Sequence, residues 1–413
     1  MKVIHLSQSD TTGGAARAAY RIHYGLRYSG IDSSMWVNKA SAGDWTVQGP
    51  SSKFNKVSAA VRPHLLSPLV KTLKTANPIL HSPAVLPSQW VKRINASDAV
   101  IVHLHWVQNE MLSIADIGRI ERPIIWTLHD MWAFCGAEHL SNDNRWHDGY
   151  RHDNRPPHES GFDLNRWAWN RKRKHWQQPI QIVTPSSWLA DCVRESALMR
   201  DWPVTVIPNP IDTDRWCPLP QALARTLLGL PADVPLLLFG AVGGTAAYHK
   251  GFDLLQAALK FMRDAPVDKG IELVVFGQRA PKYQPDIGFP IHYTGHLHDD
   301  LSLRALYSAA NVMVVPSRQE AFGQTASEAH ACGTPVVAFD TCGLPDIVSH
   351  QQTGYLAKAF DAEDLAKGIN WVLQHPEPES LSQASRDKVL RDFEQGHVAV
   401  QYIDLYKRVL ASL

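Results

Sequence analysis

A chain of 413 residues is too long for one ordinary domain, and two domains are the natural expectation. With 45% hydrophobic and 20% charged residues it has the composition of an ordinary soluble globular protein. A formal charge of +1, from 41 Lys+Arg against 40 Asp+Glu, excludes a global field favouring nucleic acid or an acidic partner, so any such preference must be local.

The first residues, MKVIHLSQSD, turn polar by Ser7 and lack the apolar core of a signal peptide. Residues 3–6 form a short, mostly apolar run, Thr11-Thr-Gly13-Gly14 follows, and Tyr20, Ile22 and Leu26 are spaced as in a helix. This is strand, glycine turn and helix, the opening unit of a doubly wound α/β domain. Apolar runs at 99–104, 124–128 and 182–184 read as buried parallel strands. The pattern then restarts: a strand at 235–242, a loop from Gly243-Gly244, and helical spacing of Phe252, Leu255, Ala258 and Leu259. Residues 271–276, 312–315 and 336–339 supply later strands. The expected fold is α/β, with two Rossmann-like doubly wound domains, 1–205 and 206–394. They join near 207–218, where three prolines interrupt regular structure. The amphipathic stretch 398–410 lies in a terminal helix, 395–413, expected to pack back on the first domain.

Five separated cysteines without a C-x-x-C pair fit a reducing cytosol better than a disulfide framework. No apolar run approaches the roughly 20 residues that span a bilayer, so membrane contact would be made from the surface.

The sharpest chemical signal is Glu320-Ala321-Phe322-Gly323-Gln-Thr-Ala-Ser-Glu328, after the strand at 312–315 and the turn Pro316-Ser317. Gly323 lets backbone approach a ligand at a helix start, where free N–H groups and the dipole favour phosphate. Glu320 on the loop and Glu328 on the helix can address separate parts of one molecule, and carboxylates accept from both hydroxyls of a diol. A helix flanked by solvated carboxylates is the plainer reading of this pair alone. Lys250, in Tyr248-His-Lys250-Gly251, offers a compact positive charge at a loop-to-helix junction. His105 and His129-Asp130 follow predicted strands, at the ends where open parallel sheets meet ligands.

With Cys332-Gly-Thr-Pro-Val-Val337, Gly343-Leu-Pro-Asp-Ile-Val348 and Thr353-Gly-Tyr-Leu356, the Glu320–Glu328 run resembles the donor-site signature of the retaining glycosyltransferase family 4. The resemblance implies the GT-B fold, two Rossmann-like domains facing across a cleft, and metal-independent transfer from a UDP- or GDP-linked sugar. No metal or other cofactor is expected. Glu328 would bind the ribose, and Glu320 with the backbone of Ala321, Phe322 and Gly323 would face the transferred sugar. Lys250 would hold the diphosphate, which relatives usually grip with an upstream arginine as well. Here 243–247 carries none, leaving Arg279 or the glycine amides to compensate. Gly13 and Gly14 would lie over the donor phosphates. His129 would point at the reacting sugar, Asp130 would orient it or meet the acceptor, and His105 would lie on the acceptor side. The stretch 126–132 with 163–169 resembles a sub-group from bacterial exopolysaccharide and colanic acid pathways. That implies a glycan or polyprenyl-diphosphate-linked acceptor at the inner face of the plasma membrane.

Other motifs read more plainly. His103-x-His105 with His129-Asp130 could mimic a zinc site but lacks a recognisable further ligand set. Asp212-Thr-Asp214 imitates a metal-binding D-x-D but sits in the proline-rich joint and reads as a turn. Lys53, Lys56, Arg62, Lys71, Lys74, Lys92 and Arg93 fall in an acid-free stretch, and 167–176 (WAWNRKRKHW) is denser still. Both suit an anionic membrane surface, preferred here over nucleic acid. The alternatives to a transferase are a nucleotide-sugar 2-epimerase of the same architecture and a non-catalytic glycan- or nucleic-acid-binding protein.

Overall fold

The computed structural model describes residues 1–240, 243–264, 270–297 and 299–412. Ala241 and Val242, which end the strand expected at 235–242, and Leu413 lie outside the described residues. The chain divides into two compact units: Met1–Pro210 with Gly396 onward, and Ile211–Gln395. The division falls after Pro210, inside the proline-bearing run, and not at 205/206.

In the first unit a seven-stranded parallel sheet runs β3-β2-β1-β4-β5-β6-β7. Its strands are β1 (Lys2–Ser9), β2 (Asp32–Lys39), β3 (Val47–Gln48), β4 (Ile101–Leu104), β5 (Ile124–Thr127), β6 (Gln181–Thr184) and β7 (Val204–Val206). Helix α1 (Gly14–Tyr28) follows β1 through the glycine turn. One face of the sheet packs Val3, Ile101, Ile125 and Val183 against Ile22 and Leu26 of α1 and against Val398, Tyr402, Leu405 and Tyr406. The last four recur at helical spacing along the C-terminal helix, Gln395–Ala411, and form its apolar stripe.

The second unit is built on a six-stranded parallel sheet, β10-β9-β8-β11-β12-β13. These strands are β8 (Leu236–Gly240), β9 (Glu272–Phe276), β10 (Ile291–Gly295), β11 (Val312–Val315), β12 (Val336–Phe339) and β13 (Gly354–Ala357). Alternation along a strand sends successive side chains to opposite faces. Leu236 and Leu238 accordingly join a core with Tyr307 and Ala329. Leu237 and Phe239 join the opposite core with Phe252 and Leu255. A sheet covered on both faces requires near-continuous apolar strands, which is why these were legible as apolar runs. In each sheet the strand order reverses beside the first strand, at β1/β4 and at β8/β11, and ligands bind α/β sheets outside the carboxyl ends at such points.

Candidate active site

In the second unit, the loops leaving β8 and β11 bring the predicted residues together. Lys250 Nζ donates to Glu320 Oε1 at 2.5 Å, and Ser317 Oγ donates to the same oxygen at 3.0 Å. Gly251 makes this approach possible. Its φ is +69°, and a Cβ there would lie 1.9 Å from the carbonyl oxygen of Pro316. Gly323, at φ +105°, opens helix α5 (Gln324–Ala331), and no side chain caps that helix start. A Cβ on Gly323 would meet Leu344 at 2.9 Å. Phe322 is buried edge-on against Phe393, so only its backbone is available to a ligand. Glu328 lies on α5, buried, with its Oε2 accepting from the Tyr307 hydroxyl at 3.0 Å.

Arg279 is exposed, and no hydrogen bond or ion pair of its side chain occurs among the described residues. Its neighbour Gln278 reaches the glycine loop instead, with Oε1 accepting from Thr245 N at 2.9 Å. The arginine that shapes the lysine turn is Arg318. Its backbone N–H donates to His249 O at 2.8 Å and its guanidinium to Tyr248 O at 2.9 Å, while the same guanidinium grips both oxygens of Asp253. It also lies over the Tyr248 ring, 4.1 Å from the centroid. Sequence reasoning missed Arg318 because these contacts are tertiary; its closeness to Glu320 was the one available signal.

In the first unit, Gly13 (φ +90°) and Gly14 begin α1, again without a side-chain cap. They border a cavity of about 590 Å³ whose lining includes Ser9, Thr12, Lys39 and Trp106. His129 follows β5, half-buried, with Nε2 3.2 Å from His105 Nδ1. Burial lowers its pKa to about 4, against the opposing pull of Asp130, so the ring is neutral at neutral pH.

Two expectations need correction. His105 is fully buried, its Nε2 2.9 Å from His5 Nδ1 and its Nδ1 toward His129, so it has no nitrogen left for an acceptor. Asp130 does not hydrogen-bond His129. Its oxygens accept from Trp106 Nε1 (2.8 Å), His139 Nδ1 (2.6 Å) and Trp132 N (3.0 Å). Burial works to raise the Asp130 pKa, but the His139 imidazole and these donors hold it below its ordinary value. His139 completes this group by pairing its other nitrogen with Ser82 Oγ at 2.8 Å.

The histidines that gather as metal-capable groups among the described residues are His5, His103 and His105, not the set containing His129 and Asp130. Hydrogen bonds already engage both nitrogens of His103 (Tyr406 OH, 2.6 Å; Thr127 Oγ1, 2.7 Å), and His5 and His105 bond each other. Asp212 forms a turn, with Oδ1 accepting from the backbone N–H groups of Asp214 and Arg215.

The run 167–176 is also corrected as a free basic-aromatic surface. It lies in the helix Leu164–His175 and its cap, where Trp169, Lys172 and Trp176 are buried. The Lys172 ammonium donates to the carbonyls of Trp132, Cys135 and Gly136 and lies 3.8 Å from the centre of the Trp132 ring. Arg171 is engaged by the carbonyls of Pro83 and Ala84.

Two Rossmann-like α/β units, each with glycines at its switch point, define a doubly wound, two-unit class of fold. A family model described as Glycosyltransferase Family 4 matches residues 12–215, and one described as Glycosyl transferases group 1 matches residues 237–375. Between them the two models match most of both units, and together they support a family 4 glycosyltransferase. A D-inositol 3-phosphate glycosyltransferase of Saccharomonospora viridis is 32% identical over 227 residues, 50% of this chain and 50% of that protein. An alpha-maltose-1-phosphate synthase of Mycobacterium tuberculosis is 31% identical over 266 residues, 57% of this chain and 66% of that protein. The match thus spans half of the first relative's length and 66% of the second's. Among solved structures, sucrose-phosphate synthase from Thermosynechococcus elongatus aligns with a TM-score of 0.69 at 20% identity, over 100% of both chains. Anabaena Alr3699/HepE in complex with UDP-glucose aligns at 0.66 and 17% identity, again over 100% of both. These likenesses establish the fold, which is GT-B.

Proposed function

We propose that the chain is a retaining, metal-independent glycosyltransferase that moves a hexose from a UDP- or GDP-linked donor to a glycan or polyprenyl-diphosphate-linked acceptor in bacterial surface polysaccharide synthesis. The observation that carries this reading is the cluster of Lys250, Ser317 and Glu320 beside the uncapped start of α5. A cation and free N–H groups would stabilise a departing diphosphate, and a carboxylate would engage sugar hydroxyls. UDP is the first choice of nucleotide because the neighbour HepE is seen with UDP-glucose.

In the proposed reaction the bond from the anomeric carbon to the diphosphate oxygen breaks, leaving an oxocarbenium-like sugar. The acceptor hydroxyl attacks the same face and its proton passes to the departing phosphate oxygen. Lys250 and the α5 start meet the leaving group, Glu328 the ribose, and Glu320 and His129 the sugar. Magnetic-resonance assignment of the product's anomeric configuration tests the reading, and an inverted product overturns it.

Membrane contact is assigned to the helix Lys53–Leu65, where Val57, Val61 and Leu65 are exposed at four-residue spacing beside Lys53 and Lys56. Such a basic, one-sided apolar helix suits an anionic bilayer surface. No described helix is long and apolar enough to cross a membrane. Flotation with anionic vesicles, absent with neutral ones and lost on Val57→Ser with Leu65→Ser, is the expected result; binding indifferent to those changes contradicts it.

A further inference from the structure

Along β1, β4 and β5, alternate residues place His5, His103, His105 and Thr127 on the sheet face that the C-terminal helix covers, and His129 continues this series. His5 and His103 are register partners across β1 and β4. His103 belongs to a separate arm, bonded to the hydroxyls of Tyr406 and Thr127. The other three imidazoles form a row: His5 Nδ1 is 2.9 Å from His105 Nε2, and His105 Nδ1 is 3.2 Å from His129 Nε2.

A neutral imidazole carries one N–H and one acceptor nitrogen, so a bonded row of neutral imidazoles has a single direction. Burial, reinforced by neighbouring imidazoles, keeps His5 and His105 well below the ordinary histidine pKa, and His129 falls to about 4. The row therefore admits two proton patterns. In one, His129 donates from Nε2, His105 donates from Nε2, and His5 is left with a proton on its own Nε2. In the other, His5 and His105 donate from Nδ1, and His129 carries its proton on Nδ1.

The inner end decides between them. His5 Nε2 is buried with no hydrogen-bond partner among the described residues. An orphaned buried N–H is rarer in folded proteins than an under-satisfied acceptor, so His5 keeps its proton on Nδ1. We propose that His5 and His105 are positioning residues that hold His129 as the Nδ1–H tautomer, so that it offers the substrate a donor instead of a lone pair. His129 is half-buried, and its Nδ1 has no protein partner among the described residues. Held this way, the ring can donate to a sugar or phosphate oxygen but cannot take a proton at Nδ1, which excludes it as the base for the acceptor hydroxyl. The consequence for transfer rests on the reading of His129 as a sugar contact; the proton pattern does not.

The test uses the full chain with histidine carrying the heavy nitrogen isotope, and long-range proton–nitrogen correlations at neutral pH. The His129 signals are assigned by their loss in His129→Gln. The wild type is expected to show His129 protonated at Nδ1. His105→Leu or His5→Phe is expected to give a mixture, while His105→Asn keeps a donor near the Nδ1 position and restores the pattern. His105→Leu should also lower kcat roughly 10- to 100-fold with donor Kd unchanged, the usual range for loss of a group that orients a functional histidine, and His105→Asn should recover most of it. Protonation of wild-type His129 at Nε2 overturns the proposal without recourse to any variant. So does an unchanged Nδ1 tautomer in both His105→Leu and His5→Phe, or one zinc ion held by the wild type and lost from His5→Phe. Wild-type transfer by His129→Gln with the expected tautomer would overturn the sugar-contact reading alone.

Discussion

Lys250 Nζ stands 2.5 Å from Glu320 Oε1, the lysine delivered by the loop after β8 and the glutamate by the loop after β11. Without a donor the two charges satisfy each other. With one bound, the proposed chemistry draws the lysine to the diphosphate and the carboxylate to the sugar. Lys250→Ala is expected to lower kcat by roughly 100- to 1000-fold, the scale of losing one donor to a developing negative charge. Full activity in a Glu320→Ala, Lys250→Ala double variant would contradict the assignment.

Gly251 should tolerate no side chain. Gly251→Ala places a Cβ 1.9 Å from Pro316 O at a φ of +69°, so the loop carrying Lys250 must move. A loss of about 1–3 kcal/mol of stability, read by denaturant unfolding, is expected together with weaker donor binding. Unchanged values of both would show that the close approach is not maintained in solution.

Arg318 separates positioning from stability. Its partner Asp253 is 57% exposed, so the ion pair itself contributes within about 1 kcal/mol. The contacts to Tyr248 and His249 shape the lysine turn. Arg318→Ala should therefore raise donor Kd severalfold while leaving the unfolding midpoint nearly unchanged. A large stability loss with unaltered donor binding would reverse that assignment.

The buried histidines make stability depend on pH. Burial lowers His23 and His129 to about 4, and His5, His103 and His105 fall below their ordinary value as well. Between about pH 4 and 6.5 the unfolded chain binds more protons than the native one, so stability rises with pH through that window and is lost on acidification. Thermal midpoints measured across it should fall as pH falls; a flat profile would contradict the burial of neutral imidazoles.

Much of the fold was legible because a covered parallel sheet demands apolar strands, and residues 312–315 and 336–339 matched their strands to the residue. Strand β2 escaped because Asp32, Ser33, Ser34 and Asn38 break its apolar run, although alternation buries Met35 and Val37. Gly323 and Glu320 could be singled out because backbone approach and loop chemistry leave local marks, whereas the closeness of Gly251 to Pro316 shows only in the fold. The role of Asp130 was not: residues adjacent in an extended chain point apart, so His129 turns to His105 while Asp130 turns to His139. His5 was overlooked as a lone histidine in an apolar strand, since only the pairing of β1 with β4 shows what it meets.

The central claim is that the second unit binds a nucleotide-sugar through Lys250 and Glu328. Its most direct test is the thermal midpoint of the wild type, Lys250→Ala and Glu328→Ala against UDP, GDP, ADP and their sugars, since a ligand of the native state raises the midpoint. A UDP or GDP compound is expected to raise the wild-type midpoint, and either substitution is expected to weaken the response. No response to any compound, or one that both substitutions leave intact, would contradict it.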